Sequence, residues 1–134
     1  MATDRSLILV VDDDETMRDA MVAVLESAGY EVIAERTARQ ALALLQSSAA
    51  KPSLILLDLV MPGMSGVEFR AVQLQDAALA TIPVVFVSAF PNTLDALQST
   101  GRLGAAAVLG KPVDARDLLT LVGRLCPPLR SSTS

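Results

Sequence analysis

The sequence predicts an α/β domain built on a parallel sheet, and three observations support that prediction. Five short apolar runs recur along the 134 residues, and patterns typical of amphipathic helices fill the gaps between them. Apolar residues make up 51% of the chain and aromatic residues only 3%, so an aliphatic core is expected. Acidic residues directly follow two of the runs. The length suits one domain with a substantial core.

The strand-like runs consist mainly of Val, Ile, Leu and Ala, as in parallel strands that are buried on both faces. They are 7–11, 31–34, 53–58, 82–88 and 105–109. Strands that alternate with helices predict a doubly wound sheet with helices on both faces. Because crossovers are right-handed, the common solution at this size is the flavodoxin-like strand order 2-1-3-4-5.

The first two helices have clear starts. The first is expected to begin near Asp14 or Glu15 and to stop at Gly29, because acids cap helices well and glycine often ends them. Thr37 followed by Gln40 is a capping-box pattern and opens the second helix. The first helix carries an apolar stripe on one face, and the second is expected to turn Ala41, Leu42 and Leu45 inward; the stripe residues of the first are Met17, Ala20, Met21, Val24, Leu25 and Ala28.

The later helices show similar signals. Ser65 and Glu68 form a second capping-box pattern at the head of the third helix. A weaker helical pattern lies between residues 91 and 101 and predicts a short fourth helix. Asp114 is expected to cap the fifth helix, which the prolines at 127–128 end.

Composition argues against several function classes. The net charge of −4 and the pI near 4.7 disfavour direct nucleic-acid binding, which needs a basic face. The chain has no histidine, and its single Cys126 excludes an internal disulfide and suits a reducing compartment. No apolar stretch approaches a signal peptide or the roughly 18 residues of a membrane span. We therefore expect a cytoplasmic domain at 1–126 and a flexible tail at 127–134.

Acidic residues end two strands that are neighbours in the predicted order. Asp12 and Asp13 follow the first strand, and Asp58 ends the third. Ligand sites of open α/β sheets form just beyond the carboxyl ends of the strands. Helix capping accounts for one acid of the run 12–15, which leaves the others available. Three carboxylates at that edge would repel one another unless a hard cation such as Mg²⁺ lay among them.

Polar residues also end the fourth and fifth strands. Ser88 follows Val84-Val85-Phe86-Val87, and Lys111 follows Val108-Leu109-Gly110. Taken singly, each is an ordinary turn hydroxyl or a solvated surface ammonium. Together with the acids they suit phosphoryl transfer, in which two carboxylates hold a cation, a third is the nucleophile, and the other groups bind phosphoryl oxygens.

On these residues the chain resembles the receiver domains of the two-component response regulators. The resemblance covers about residues 6–126. Its motifs in chain order are the Asp12-Asp13 pair, Asp58, the turn Met61-Pro62-x-x-Ser65-Gly66, Ser88-Ala89 and Lys111-Pro112.

The resemblance implies a phosphorelay module rather than an enzyme. Asp58 would accept a phosphoryl group from the phospho-histidine of a sensor histidine kinase or a phosphotransfer protein. Asp13 and Asp58 would bind Mg²⁺ or Mn²⁺ directly, Asp12 largely through water, and the backbone carbonyl of Val60 would be a further ligand. Phosphorylation would switch binding to a downstream protein or to a second copy of the chain.

The resemblance also assigns the phosphoryl contacts. Ser88 would donate a hydrogen bond to the phosphoryl group, Lys111 would pair with it, and the Lys111-Pro112 bond would be cis, a state found essentially only before proline.

Two features depart from the family pattern. The family usually has Tyr or Phe three residues before the strand-five lysine, where this chain has Val108, so its activation switch must differ. Polar residues often stand two positions after the acceptor aspartate and after the hydroxyl residue, where this chain has Val60 and Phe90. We expect these apolar residues to slow hydrolysis of the phosphoryl group. The alternative for Phe90 is an inward rotation that replaces the missing aromatic switch.

Two other hypotheses stay open at this point. Asp12-x-Asp14-x-Thr16 fits the nucleophile motif of haloacid-dehalogenase-type phosphatases, with Asp12 as nucleophile. Against it, only 23 residues follow Lys111, too few for the further acidic strand that such enzymes need. The second hypothesis is a receiver-like interaction module that works without phosphorylation. No output segment is recognised after the fifth helix, so the chain is either a free-standing regulator or a piece of a longer one.

Overall fold

The computed structural model describes residues 6–47, 51–90 and 104–126. Over these ranges, strands and helices alternate for most of the chain. They are β1 Leu7–Val11, α1 Glu15–Ser27, β2 Glu31–Glu35, α2 Ala38–Ser47, β3 Leu54–Asp58, α3 Gly66–Leu74, β4 Val84–Ser88, β5 Ala107–Gly110 and α4 Ala115–Leu125. The short helix predicted between 91 and 101 and the tail predicted at 127–134 lie outside the described residues.

The strands form one parallel sheet in the order β2-β1-β3-β4-β5, which confirms the predicted flavodoxin-like topology. In the pairing of the central strands, Val11 lies beside Leu57 and Asp58 beside Val87. Ser88, in turn, pairs with Gly110. The residues that end β1, β3, β4 and β5 therefore lie along the same edge of the sheet.

Both faces of the sheet are covered, which explains why the strands are continuous apolar runs. Alternate residues of β1 and β3 point to opposite faces. Leu9 and Ile55 join the core under α2 and α3, whereas Ile8 and Leu54 join the core under α1 and α4. Among the described residues, no helix is long and apolar enough to cross a bilayer.

The helix starts follow the predicted caps. The Asp14 carboxylate accepts a hydrogen bond from the Met17 amide, so Asp14 is the acid that caps α1. Ser65 and Glu68 complete both bonds of the capping box of α3. Asp114 caps α4. Gly29 follows α1 with a φ of 96°, a left-handed conformation that suits glycine.

Three strands begin later than their apolar runs predicted, β3 by one residue at Leu54 and the next two strands by two residues each. The fourth run starts at Ile82, but β4 starts at Val84 because the intervening Pro83 has no amide hydrogen to donate to the sheet. Ile82 is still buried. Likewise, Ala105 is buried ahead of β5, which starts at Ala107 and extends to Gly110. Burial thus extends beyond strand pairing at both places.

Candidate functional site

The three predicted acidic residues meet at the carboxyl edge of the sheet. One carboxylate oxygen from each of Asp12, Asp13 and Asp58 lies within 4.8 Å of the others. Asp12 and Asp58 are buried, while Asp13 is exposed at the start of the turn into α1. The convergence follows from topology, because β1 and β3 are hydrogen-bonded neighbours.

Lys111 reaches into this cluster from the end of β5. Its Nζ lies 3.1 Å from Asp12 Oδ2 and 3.1 Å from Asp58 Oδ2. Its backbone amide donates to the carbonyl of Ser88 at 2.8 Å, which ties the residue to the end of β4. The Lys111-Pro112 peptide bond is cis. The ammonium therefore lies between two buried carboxylates, one that follows β1 and one that ends β3.

Asp12 retains an unsatisfied oxygen. Its Oδ1 accepts a hydrogen bond from the Asp14 amide at 2.9 Å. Its Oδ2 is close enough to Lys111 for an ion pair but not aligned for a hydrogen bond, so this buried atom has no hydrogen-bond partner in the described structure. Buried polar atoms are rarely left this way, and those that are deserve a functional explanation. A bound cation would satisfy this oxygen.

Both oxygens of Asp58 accept a hydrogen bond. Oδ1 accepts from the Val60 amide at 3.3 Å, and Oδ2 accepts from Lys111 at 3.1 Å. Burial and the neighbouring charge of Asp12 nevertheless raise the Asp58 pKa from 3.8 to about 6, against the lowering effects of Lys111 and Val60. For Lys111, burial alone would lower the pKa, but the close contacts and negative charges of the Asp12 and Asp58 carboxylates together raise it. The lysine therefore stays cationic beside carboxylates that repel each other.

The residues present fit a hard divalent cation. Clustered carboxylate oxygens are the ligands that Mg²⁺ and Mn²⁺ take in proteins, and three carboxylates outnumber the single ammonium among them. Asp12 Oδ2 pairs with the Lys111 ammonium but has no hydrogen-bond partner among the described residues, so it can also serve as a ligand to a cation. No nitrogen or sulfur donor competes, because the chain has no histidine and its single cysteine, Cys126, is buried in the core under α1 and α4.

Ser88 ends β4 beside Asp58, and its side chain is buried. Its hydroxyl oxygen accepts a hydrogen bond from the Phe90 amide at 3.0 Å. The hydroxyl hydrogen stays available as a donor. The strand order therefore places a hydroxyl, an ammonium and the acidic cluster along one edge.

The three apolar residues that depart from the family pattern occupy different environments. Val60 is 73% exposed and Phe90 is 70% exposed, so both belong to the outer surface near the site. Val108 is partly buried and packs against the core under α2 and α3. Phe90 is therefore turned outward in this structure.

Two residues of the site had no role assigned from the sequence. Gly66 starts α3 so close to β3 that an added Cβ would lie 2.5 Å from the Asp58 carbonyl oxygen. The sequence signal for Gly66 was its place directly after the Ser65 cap. Arg18 donates from Nη1 to the Asp12 carbonyl at 2.9 Å. No sequence signal indicated that contact.

Comparison with known proteins identifies the family. The sequence profile of the response regulator receiver domain matches residues 8–123. The chain belongs to this family. The match confirms the resemblance drawn from the motifs and places the chain in two-component signalling as a receiver domain. It also favours this interpretation over the dehalogenase-type phosphatase.

Individual relatives support this family assignment. The chain is 34% identical to the protein PilH of Pseudomonas aeruginosa over 86% of this chain and 93% of PilH. It is 35% identical to the phosphate regulon transcriptional regulatory protein PhoB of the same organism, over 92% of this chain and 51% of PhoB. The chain spans about half the length of PhoB and of several other regulators that it matches.

Solved structures share the fold. The chemotaxis protein CheY4 of Vibrio cholerae superposes with a TM-score of 0.79 at 31% identity, over 90% of this chain and 98% of CheY4. A response regulator receiver protein from Pseudomonas putida gives a TM-score of 0.81 at 28% identity, over 92% of this chain and 99% of that protein.

Proposed function

We propose that this receiver domain accepts a phosphoryl group on the Asp58 carboxylate in a reaction that depends on Mg²⁺. The observation that carries the proposal is the cluster itself. Asp58 shares a 4.8 Å neighbourhood with Asp12 and Asp13, and Lys111 Nζ lies 3.1 Å from its Oδ2. The Lys111 ammonium, together with a cation held by the three carboxylates, would offset the negative charge of incoming phosphoryl oxygens.

Asp58 is a better acceptor than the other two acids. Asp12 has a side chain with no exposure, and its Oδ1 is engaged by the Asp14 amide. Asp13 is exposed, so water competes for its carboxylate. Asp58 keeps 6% side-chain exposure and has Lys111 in direct hydrogen-bond contact. An incoming donor can reach it while the surrounding strands keep its orientation.

In the proposed step, an Asp58 oxygen forms a bond to phosphorus as the phosphorus–nitrogen bond of a phospho-histidine breaks. The nitrogen keeps the electron pair of the broken bond and takes up a proton. The products are an aspartyl phosphate and a free imidazole on the donor, a sensor histidine kinase or phosphotransfer protein. Lys111 and the Ser88 hydroxyl would hold the phosphoryl oxygens of the product.

Asp12, Asp13, Asp58 and the Val60 carbonyl would hold Mg²⁺, or Mn²⁺ in its place. When bound, the ion would neutralise negative charge on the carboxylates and the phosphoryl oxygens. A cytoplasmic location goes with this proposal, because a reducing compartment suits a chain whose only cysteine is free.

The change in partner binding would begin at Lys111. Its ammonium, which now contacts Asp12 and Asp58, would instead bind the phosphoryl oxygens, and the ends of β4 and β5 at Ser88 and Lys111 would shift position. That change would alter the affinity for a downstream protein or for a second copy of the chain. Because Val108 replaces the usual aromatic, the inward swing of a ring at that position is not part of the switch.

The test uses acetyl phosphate as a small donor, with and without Mg²⁺, followed by intact-mass measurement. We expect the mass of one phosphoryl group, no labelling in EDTA and no labelling of Asp58→Asn. Undiminished labelling of that variant would contradict the assignment. If the wild-type chain takes no label from any donor but still binds a partner, and Asp58→Asn binds it equally, the phosphorylation-independent module is supported.

A further inference from the structure

Arg18 contacts the acidic turn from the first helix. It is the fourth residue of α1, and its Nη1 donates to the backbone carbonyl of Asp12 at 2.9 Å. The side chain is half-buried. A charged donor on a backbone carbonyl is among the stronger hydrogen bonds in proteins. The contact joins α1 to the peptide group between Asp12 and Asp13.

The rest of the turn is anchored by other bonds. The Asp12 amide donates to the Glu35 carbonyl at 3.2 Å, which ties the end of β1 to the end of β2. The Asp14 amide donates to Asp12 Oδ1 at 2.9 Å, which orients that carboxylate. These bonds hold the Asp12 amide and side chain, but they leave its carbonyl to Arg18.

Among the three acids, Asp13 is the one whose position depends most on how the Asp12 carbonyl is held. Its side chain is exposed, and no hydrogen bond or ion pair from a described residue holds its carboxylate. The Asp13 nitrogen and Cα lie in the peptide plane that Asp12 and Asp13 share, because peptide groups are planar. Whatever holds the Asp12 carbonyl therefore also restrains the position from which the Asp13 side chain starts.

From this arrangement we infer that Arg18 is a positioning residue for the divalent-cation site. It fixes the Asp12–Asp13 peptide so that the Asp13 carboxylate stays within reach of Asp12 and Asp58. The inference rests on the proposed Mg²⁺-dependent function of the site. Groups that orient metal ligands without touching the metal typically change metal affinity by about 10–100-fold.

Electrostatic repulsion and ligand positioning predict opposite changes in Mg²⁺ affinity when Arg18 is removed, which makes the inference testable. A positive guanidinium near a cation site repels the cation, so removing it for charge reasons alone would tighten Mg²⁺ binding. If Arg18 instead positions Asp13, removing it would weaken binding despite the more negative site. The direction of the change separates the two effects.

The experiment is calorimetric titration of the full chain with MgCl₂, together with the melting temperature of each metal-free protein. Arg18→Met keeps much of the aliphatic stem and removes the donor, so we expect its Kd for Mg²⁺ to rise about tenfold. Arg18→Lys keeps a charged donor with less rigid geometry, and we expect a Kd between the two. Arg39→Met, on an exposed position of α2, removes the same charge elsewhere and is expected to leave Kd within about twofold, because solvent and salt screen distant surface charges.

If Arg18 had a purely structural role, Arg18→Met would have a lower melting temperature, and the three variants would have the same Kd for Mg²⁺. An unchanged or lower Kd in Arg18→Met would overturn the positioning role. If the wild-type chain shows no Mg²⁺ binding at all, the proposed metal-dependent function fails, and this inference falls with it.

Discussion

Two buried polar clusters at opposite edges of the sheet show how a site differs from a structural contact. At the amino edge, Arg70 Nη1 donates to Gln73 Oε1 at 2.8 Å, and Gln73 Nε2 donates to the carbonyls of Leu79 and Ile82 at 2.8 and 3.0 Å. Arg70 also donates to the Ile82 and Gly104 carbonyls, both at 3.3 Å. We call this network the clamp. It joins α3 to the segments that lead into β4 and β5.

The clamp matches donors to acceptors, whereas the acidic cluster at the carboxyl edge does not. Burial lowers the Arg70 pKa, but several oxygens accept from its guanidinium. At the acidic cluster, Asp12 Oδ2 has no hydrogen-bond partner among the described residues, and the Asp58 pKa is raised to about 6. Buried polar groups that are satisfied stabilise a fold, and those left strained mark a place for a ligand. We therefore expect the clamp to contribute stability, and we propose the acidic cluster as the place where a ligand binds.

Breaking the clamp should produce the largest loss of stability. Arg70→Met removes the guanidinium and leaves the Gln73 side-chain oxygen Oε1 and the Gly104 backbone carbonyl without this donor. We expect the free energy of unfolding to fall by about 2–3 kcal/mol, since buried acceptors that lose their donor cost about 1–3 kcal/mol each. Urea denaturation measures this change. The rise of melting temperature with Mg²⁺ should persist in the variant, and its loss would mean that the two clusters are not separate in function.

The acidic cluster should respond in the opposite direction. Asp13→Ala relieves repulsion among the carboxylates, so without metal we expect it to melt a few degrees above wild type, a shift that corresponds to about 1 kcal/mol for a chain of this size. Its melting temperature should no longer rise with Mg²⁺, whereas that of wild type should rise with concentration. Thermal unfolding in EDTA and in increasing MgCl₂ measures both. A variant that Mg²⁺ still stabilises as it does wild type would remove Asp13 from the ligand set.

The raised pKa of Asp58 predicts a pH-dependent stability. Because the folded-state pKa of about 6 exceeds the ordinary 3.8, the folded protein binds this proton more tightly than the unfolded chain does. The resulting stability is fully present below about pH 4 and is lost as pH rises through about 6. We therefore expect Asp58→Asn in EDTA to gain in melting temperature over wild type between pH 4 and 7.5. A difference between the two proteins that stays constant over this range would contradict the raised pKa.

The sequence predicted the acidic cluster better than the clamp, for a physical reason. Asp58 and Ser88 end strands and Lys111 directly follows one, and a parallel sheet brings such ends together whatever the surrounding loops do. Arg70 and Gln73 lie on a helix whose apolar pattern is weak, and their burial depends on carbonyls from distant loops. Those carbonyls have no sequence signature. A charged residue in mid-helix is usually solvated, so its burial could not be expected.

The fold was equally predictable where local and long-range requirements agree. The apolar runs had to be strands, because both of their faces are covered, and Asp14, Ser65 and Asp114 cap helices by short-range bonds. Strand starts were less predictable, as the delay from Ile82 to Val84 shows. The contact of Arg18 with Asp12 spans six residues of a turn and helix, and its formation depends on the rotamer of a long side chain.

The smallest predicted effect concerns the lifetime of the phosphoryl group. Val60 and Phe90 are exposed near the site, and neither side chain can orient an attacking water. We expect that replacing Val60 by Asn and Phe90 by Glu together speeds loss of the label several-fold, because in-line placement of water contributes much of the rate. The decay of the phosphorylated mass over time measures this, with Mg²⁺ affinity as the control. An unchanged or slower decay would mean that water access does not set the lifetime.

The most direct measurement of the central claim is chemical identification of the phosphorylated residue. Borohydride reduces an aspartyl phosphate to homoserine, and peptide mass spectrometry then locates that residue after treatment with acetyl phosphate. We expect homoserine at position 58 alone, formed in Mg²⁺ and not in EDTA. Homoserine at position 12 would support the phosphatase-type nucleophile instead. Homoserine at position 13, or at no position, would contradict the assignment of Asp58 as the acceptor.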